Sequence, residues 1–463
     1  MSAQPARGLG VIDASLIVVG CIVGAGIFLV SPDVAREVRS PAAFLFTWLL
    51  GGGVALSGAL SNGELGGLFP RSGGEYVYLR EAYGPALGFL SGWTSFWIGF
   101  PGSIATLAAG FGATFAGLLG FGGQRAPLVV GILAVVAVTL VNTIGLHPGK
   151  WTQNVLSVTK LAAFAVLLAL GMLVRGNGSS GLTPFFVAGD SVGGIARGLV
   201  PVLFAYTGWN AATYVAGEMR EPTRGLGRAL GLGTLLCVVL YVAINTIYLR
   251  ALPLATLAAS TDPARASAIR LGGDAVGRLL SPLVAICVLS SLQATVLVGP
   301  RIYQAMAVDG LFFAPLGRTH ARAGTPVVAL VVQGVVATAL LVAGSLGSLD
   351  RRFDRVFDQL LTFTMSAIVA FSTLAVAAVI VLRVRRPDAP RPFRVPGYPF
   401  VPALFVVVNV WLLWSELEYA DRQVSKGEGR IGLFASLAIM AAGLPAYFAF
   451  RHGRAKQGEK AFQ

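Results

Sequence analysis

Residues 20–28 read GCIVGAGIF and place three glycines inside an otherwise apolar stretch. Residues 204–210 read FAYTGWN and again place a glycine inside an apolar block, next to aromatic residues. Glycine in a helix interior costs about 1 kcal/mol relative to alanine, because it loses more backbone freedom on folding. The two stretches therefore predict two helices that are interrupted near their middle.

The composition around these stretches is that of a membrane protein. Hydrophobic residues make up 55% of the 463 positions and charged residues only 12%, about half the charged share of an average soluble domain. The apolar residues form continuous blocks, such as LVVGILAVVAVTLV at 128–141. About 20 apolar residues cross the hydrocarbon core as a helix, whereas barrel strands alternate in polarity. We therefore expect an all-α membrane protein.

Twelve apolar blocks are long enough to be transmembrane helices. Their approximate spans are 12–36, 41–68, 84–118, 127–145, 151–174, 192–219, 229–252, 275–305, 325–345, 356–383, 398–417 and 431–450. The longest segment between them, about 252–274, is too short to bury its own core, so we expect a single membrane domain with a short surface helix there.

The two glycine stretches fall in the first and sixth spans. Each is then the first helix of a five-helix half, one half at about 12–175 and the other at about 192–383, with helices eleven and twelve at about 398–450 left over. Many transporters consist of two inverted repeats with one interrupted helix in each. The spacing therefore favours a five-plus-five inverted repeat with broken helices 1 and 6.

The charge distribution predicts the orientation in the membrane. The net charge is +14, and with the N-terminus inside, Lys and Arg outnumber acids in the segments on that side, as in RVRRPDAPRPFR at 383–394. Positive residues concentrate on the cytoplasmic side of membrane proteins. We expect both termini to be cytoplasmic in a multi-pass protein of the cell (inner or plasma) membrane, with lipid rather than nucleic acid as its surroundings.

The sequence offers no group for covalent or metal chemistry. Cys21, Cys237 and Cys287 lie in apolar spans without metal-site spacing, and the histidines fall in predicted loops or the tail. We therefore expect no metal, no cofactor and no enzymatic activity. A channel is also disfavoured, because no filter sequence or polar ring is evident.

A zwitterion suits two interrupted helices. A helix N-terminus with free amides attracts a carboxylate, and unwound carbonyls accept hydrogen bonds from an ammonium. An α-amino acid carries both groups, although an anion or a cation alone could use half of the arrangement. We expect no acidic residue beside either break to neutralise a second positive charge, and therefore neutral substrates rather than cationic amino acids or polyamines.

Five segments resemble the amino acid-polyamine-organocation superfamily, and within it the L-type amino acid transporter and bacterial amino acid permease branch. They are VGCIVGAGIF (19–28), ELGGLFPRSGGEYVYLREAYG (64–84), LFAYTGWNAATYVAGEMREPTRGLGRAL (203–230), GPRIYQAMAVDGLFF (299–313) and RPFRVPGYPFVPALF (391–405). The resemblance implies the LeuT-like inverted-repeat fold and alternating access. It also implies an amino acid held between the unwound parts of helices 1 and 6.

The same resemblance implies particular site residues. Amides of Gly24, Ala25 and Gly26 would bind the carboxylate, carbonyls of Ile22, Phe204 and Ala205 would bind the ammonium, and Phe204 would close over the ligand. The full expected substrate-binding set is Ile22, Gly24, Ala25, Gly26, Phe204, Ala205, Tyr206, Gly208 and Trp209. Many L-type members have serine at the position of Ala25. Animal light chains carry a cysteine in the loop that reads GLLGFGGQRAP here (117–127), so we expect no disulfide-linked heavy chain.

Lys160 is the most informative charged residue, because it lies within an apolar span, the fifth. It could snorkel to lipid headgroups from the helix end. The resemblance instead implies a position against helices 1 and 8, with hydrogen bonds to carbonyls of the first helix and to Ser291 and Thr295, which lie one turn apart on helix 8. A permanent tether and a proton-coupling group both remain open for this lysine.

The sequence thus favours a secondary transporter that moves small to medium neutral L-amino acids by alternating access, as an exchanger. The alternatives are a proton-coupled amino acid symporter and a carrier of cationic amino acids or polyamines. None of these requires a cofactor or an enzymatic step.

Overall fold

A computed structural model describes residues 8–24, 26–121, 123, 125–173, 182–346, 354–424 and 431–460. Within these ranges the chain is helical, and its β-structure is confined to one isolated bridge between Leu9 and Met219. The expectation of an all-α protein is therefore confirmed for the described part of the chain.

Eighteen α-helices make up most of the described chain. They are α1 (Val11–Ile22), α2 (Gly26–Leu29), α3 (Ser31–Glu37), α4 (Pro41–Leu68), α5 (Glu75–Tyr83), α6 (Pro85–Thr94), α7 (Phe100–Leu118), α8 (Ala126–Ile144), α9 (Leu146–Leu173), α10 (Val192–Ala205), α11 (Pro222–Ala251), α12 (Leu254–Ala259), α13 (Pro263–Val298), α14 (Pro300–Val308), α15 (Val327–Leu346), α16 (Asp354–Arg385), α17 (Phe400–Val424) and α18 (Ile431–Lys460). A π-helical turn at Ser95–Gly99 joins α6 to α7, and 3₁₀ turns occupy Ala211–Glu218 and Ala314–Gly317.

Nine stretches of the described chain are long and apolar enough to cross a membrane. Two shorter apolar helices, Val192–Ala205 and Phe400–Ser415, accompany them. The protein is therefore a multi-pass membrane protein. Lipid-facing positions carry large apolar side chains, for example Leu133, Leu140 and Val335.

The helix boundaries follow local chemistry. The Ser40 hydroxyl accepts a hydrogen bond from the Ala43 amide at the start of α4, and Pro41 occupies the first turn, where it displaces no helical hydrogen bond. The segment between about 252 and 274 contains the short helix α12, as expected. However, α13 already begins at Pro263 and bends at Gly273, where φ is +77°, so its start is earlier than the sequence pattern indicated.

Both interruptions fall at the glycine stretches. Helix α1 ends at Ile22 and α2 begins at Gly26, while α10 ends at Ala205 and the chain resumes as a 3₁₀ turn at Ala211. The first break lies at the centre of the bundle, because α1 packs against α9, α11 and α13, and α11 packs on α4. The second break lies beside it, because α1 also packs against the 3₁₀ turn.

A buried ion pair fastens one end of the bundle. Arg301 Nε lies 2.9 Å from Glu218 Oε1, and the two side chains are 1% and 4% exposed. The carbonyl of Glu218 accepts hydrogen bonds from the amides of Gly8 and Leu9. The start of α1, the 3₁₀ turn and the start of α14 are thereby joined at one point.

Replacing Arg301 by leucine should cost about 3–5 kcal/mol, because the mutation leaves the buried Glu218 carboxylate without its cation. Arg301→Leu should therefore lower the Tm of the detergent-purified protein, measured by tryptophan fluorescence. Arg197→Leu is the matched control, since the Arg197–Glu37 pair is largely exposed and such pairs contribute about 0–1 kcal/mol. Equal Tm shifts in the two variants would contradict this role of the buried pair.

Candidate functional site

A cavity of about 160 Å³ lies between the two helix breaks. Seven of the residues expected at the site line it, and they come from both breaks and from α13: Ile22, Gly24, Gly26, Phe204, Ala205, Gly208 and Thr295. Side chains of α7 and α16, such as Ser103 and Phe371, complete the wall. The two glycine stretches therefore meet at one cavity.

Four expected residues of the described chain are not part of this cavity wall, namely Tyr206, Trp209, Lys160 and Ser291. Ala25 lies outside the described residues. Tyr206 is fully buried and packs against Trp48 and Tyr241, so the expectation that it binds the ligand is not supported by its position. Trp209 packs on Phe405 and lines a second cavity of about 250 Å³, because the residue after Gly208 points away from the first break.

Two glycines bring the broken segments into contact. A Cβ on Gly26 would lie 2.9 Å from Ala205 Cα, and a Cβ on Gly208 would lie 2.7 Å from Cys21 Cβ. Gly208 also has φ of +99°, which residues with a side chain rarely adopt. The breaks therefore need glycine both for close approach and, at Gly208, for backbone conformation.

The carbonyls expected to bind an ammonium differ in availability. Ile22 O already lies 2.9 Å from Gly24 N and 2.8 Å from the Tyr241 hydroxyl, and Phe204 O accepts from both the amide and the hydroxyl of Thr207. Ala205 O lies 3.2 Å from the Tyr241 hydroxyl only, among the described groups. Ala205 O thus retains the most hydrogen-bonding capacity.

The amide of Gly26 is available for an anion. It begins α2 and makes no hydrogen bond within the described chain, whereas the amide of Gly24 donates back to Ile22 O. First-turn amides of a helix lack intrahelical acceptors and favour negative charge. The first break therefore presents a donor and the second an acceptor to the same cavity.

Lys160 lies behind the first break and is fully buried, which excludes the lipid-headgroup position. Its Nζ donates to Val23 O at 2.8 Å and to Gly20 O at 3.2 Å. These carbonyls belong to the last turn of α1 and to its C-cap residue, where a cation is electrostatically favourable. Lys160 itself does not line the cavity.

Ser291 and Thr295 lie on the side of α13 that faces the first break. The Ser291 hydroxyl lies 2.7 Å from Gly20 O and 3.0 Å from Val23 O, so it shares both carbonyls with Lys160. Thr295 donates to Ser291 O within its own helix and reaches the cavity wall. The ammonium and the Ser291 hydroxyl are thus brought to the same two oxygens from α9 and α13.

An acidic residue missed by sequence reasoning lines the cavity. Glu75, the first residue of α5, is 4% exposed and lies on the cavity wall. Its Oε1 accepts from Asn210 Nδ2 at 2.7 Å and from Ser372 Oγ at 2.8 Å. The expectation that no acid stands beside either break was therefore wrong, because it considered only neighbours in sequence.

A sequence signal for Glu75 did exist. Gly73 and Gly74 precede it, and both have positive φ. A Cβ on Gly74 would lie 2.7 Å from Thr213 Oγ1, so the double glycine lets α5 begin against the 3₁₀ turn. Two adjacent glycines followed by an acid predict such a close backbone approach.

Metal-binding geometry is not evident around the cavity. The described residues contain no group of three or more His, Cys, Asp or Glu side chains that could hold a metal ion. The polar groups of the wall are backbone amides and carbonyls, hydroxyls, Asn210 and Glu75, which together suit a small polar ligand.

Matches to known proteins cover nearly the whole chain. The family model described as amino acid permease matches residues 9–425. The serine/threonine exchanger SteT of Bacillus subtilis (strain 168) is 30% identical over 454 residues, which cover 97% of this chain and 98% of that protein. The human b(0,+)-type amino acid transporter 1 is 29% identical over 96% of this chain and 88% of its own length. The human large neutral amino acids transporter small subunit 2 is 28% identical, over 96% and 80% respectively. This chain therefore belongs to the amino acid permease family of the amino acid-polyamine-organocation superfamily and is a membrane transporter of amino acids.

Proposed function

We propose that this transporter exchanges small to medium neutral L-amino acids by alternating access, with the amino acid held between the two helix breaks. The observation that carries the proposal is the cavity itself, which both breaks line and which combines a free amide with a free carbonyl lone pair. The substrate carboxylate would bind at the amides of Gly24, Ala25 and Gly26. Its ammonium would bind mainly at Ala205 O, with Ile22 O and Phe204 O released from their present partners.

Phe204 would act as the lid of this site. It lines both the central cavity and the second cavity next to it. A side chain that lies between two cavities can connect or separate them by a rotamer change. Movement of such a lid is a common gating step in enzymes and carriers.

We further propose the finer architecture of the membrane domain. The nine long spans, α10, the apolar part of α17 and α18 together would make twelve transmembrane helices. The interrupted helices would begin the two repeats, at about 12–175 and 192–383, with the last two helices at about 398–450. The excess of Lys and Arg on one side would place both termini in the cytoplasm of a cell in whose membrane the protein resides.

The transporter would work without covalent chemistry and without a disulfide-linked partner. The sequence has three cysteines, and none lies in the loop 117–127. Cys237 and Cys287 are buried, and Cys21 lies at the first break. One relative is named a small subunit, but a disulfide to a second subunit needs a cysteine in an outer loop, whereas two of these three are buried and the third is part-buried at the central cavity.

Exchange is preferred over proton symport because a relative that aligns with this chain over nearly its full length is named an exchanger. A carrier of cationic amino acids is the second candidate, and one observation favours it. The Glu75 carboxylate on the cavity wall could pair with a second positive charge.

Counterflow in proteoliposomes tests the proposed function. Liposomes loaded with unlabelled alanine, serine or threonine should accumulate labelled alanine transiently, whereas empty liposomes should not, and an imposed pH gradient should leave the rate unchanged. Accumulation driven by a pH gradient into empty liposomes would contradict exchange. Counterflow that occurs only when lysine is inside the liposomes would favour the cationic candidate.

Gly208→Ala should weaken amino acid affinity roughly fivefold or more. The added methyl group meets Cys21 and the φ of +99° disfavours any side chain, a strain of about 1–3 kcal/mol. Gly53→Ala is the matched control, because Gly53 lies on an exposed face of α4 with no atom within 4 Å of the added Cβ. Ligand-induced thermal stabilisation measures the affinity. Wild-type affinity in a folded Gly208→Ala protein would argue against the broken-helix site.

Lys160→Ala should slow exchange roughly tenfold or more although Lys160 does not touch the substrate. The variant loses two hydrogen bonds from a charged donor to the end of α1, each worth about 1.5–3 kcal/mol. If Lys160 is only a tether, exchange should ignore a pH gradient before and after mutation. If it carries a proton, wild-type transport should follow the gradient and the variant should not. Normal exchange with a normal pH response would contradict both roles.

A further inference from the structure

Glu75 is a buried acid without a cationic partner. It belongs to no ion pair in the part of the chain that the structure describes, unlike Glu81 on the same helix, which pairs with Arg71, Arg80 and Arg386. A buried carboxyl group is costly unless hydrogen bonds or a ligand satisfy it. Because Glu75 lies on the cavity wall, its carboxyl group is placed to act on a bound ligand.

The hydrogen bonds of Glu75 fix the orientation of Asn210. Asn210 Nδ2 donates to Glu75 Oε1 at 2.7 Å and to the Tyr214 hydroxyl at 3.1 Å. An ionised carboxylate only accepts hydrogen bonds, so with Glu75 ionised the amide group turns its NH₂ toward it. Asn210 Oδ1 is then on the opposite side of the amide, and it accepts no hydrogen bond from the described residues.

Two further groups bear on a polar ligand, Ser372 from the wall of the second cavity and Thr94 from the wall that Glu75 lines. The Ser372 hydroxyl donates its only proton to Glu75 Oε1, so Ser372 can only accept hydrogen bonds from its other neighbours. Thr94 Oγ1 is buried on the wall of the central cavity and has no partner within the described chain. Native proteins rarely leave such a hydroxyl unsatisfied.

We propose that Glu75 is a specificity-determining positioning residue, which holds Asn210 so that its carbonyl oxygen selects amino acids with a hydroxyl on the side chain. The inference rests on the proposed function, since it assigns the part of the same cavity that receives the substrate side chain. A substrate hydroxyl would donate to Asn210 Oδ1 and accept from Thr94 Oγ1. A methyl group in its place would leave both protein groups unpaired.

The expected discrimination follows from that difference. Leaving a buried donor or acceptor unpaired is unfavourable, and sites built to hydrogen-bond a substrate hydroxyl reject the analogue without it. Threonine and valine have nearly the same shape, as do serine and 2-aminobutyrate. The wild-type protein should therefore prefer threonine over valine, and serine over 2-aminobutyrate, by about tenfold.

The test measures these preferences by competition in proteoliposomes. Counterflow of labelled alanine is inhibited with unlabelled threonine, valine, serine and 2-aminobutyrate, and the ratio of inhibition constants within each pair is compared between variants. In Glu75→Gln the ratios should fall at least threefold toward one, because the glutamine amide can also donate to Asn210 and no longer fixes it. A merely structural defect would change the rate for all substrates and leave the ratios unchanged.

Glu81→Gln is the matched control on the same helix, since Glu81 does not line the cavity, and it should keep the wild-type ratios. Wild-type ratios near one, or unchanged ratios in Glu75→Gln, would overturn the inference while alanine counterflow leaves the proposed function intact. Absence of counterflow for every amino acid in the wild type would instead overturn the proposed function. If Glu75→Gln does not fold, Asn210→Ala must lower the ratios in the same way, and unchanged ratios there would overturn the inference.

Discussion

The structure depends on the close approach of two interrupted helices. Gly26 and Gly208 bring the backbone of each break against the other, at Ala205 and Cys21. This contact frees main-chain amides and carbonyls at membrane depth, where an unsatisfied group is costly. The chain meets that constraint partly with its own side chains, and the Gly26 amide and one lone pair of Ala205 O are among the described groups that a ligand can satisfy.

Side chains from three neighbouring helices hold the freed groups in place. Lys160 from α9 and Ser291 from α13 share the carbonyls of Gly20 and Val23. Tyr241 from α11 lies within hydrogen-bond distance of a carbonyl in each break. The breaks are therefore connected to the helices that surround them, and a change in ligand occupancy at the breaks can shift how those helices pack.

The sequence predicts the parts of this arrangement that have a local cause. Glycine interrupts a helix wherever it stands, so the breaks could be located from residues 20–28 and 204–210, and a lysine within an apolar span needs a buried acceptor or a path to the surface. Tyr206 and Trp209 could not be assigned, because a one-residue rotation in the unwound segment sends a side chain to a different neighbour. Glu75 was missed because it reaches the cavity from the connection between two spans, and Gly73 and Gly74 indicate a close approach there without showing which part of the chain is approached.

The central claim is that the amino acid occupies the cavity between the breaks. A structure of the protein in nanodiscs with bound threonine, determined by cryo-electron microscopy, tests it most directly. The account predicts ligand density with its carboxylate at the Gly26 amide, its ammonium at Ala205 O and its side chain toward Asn210 and Glu75. Density confined to the second cavity, beside Trp209 and Phe405, would contradict the account.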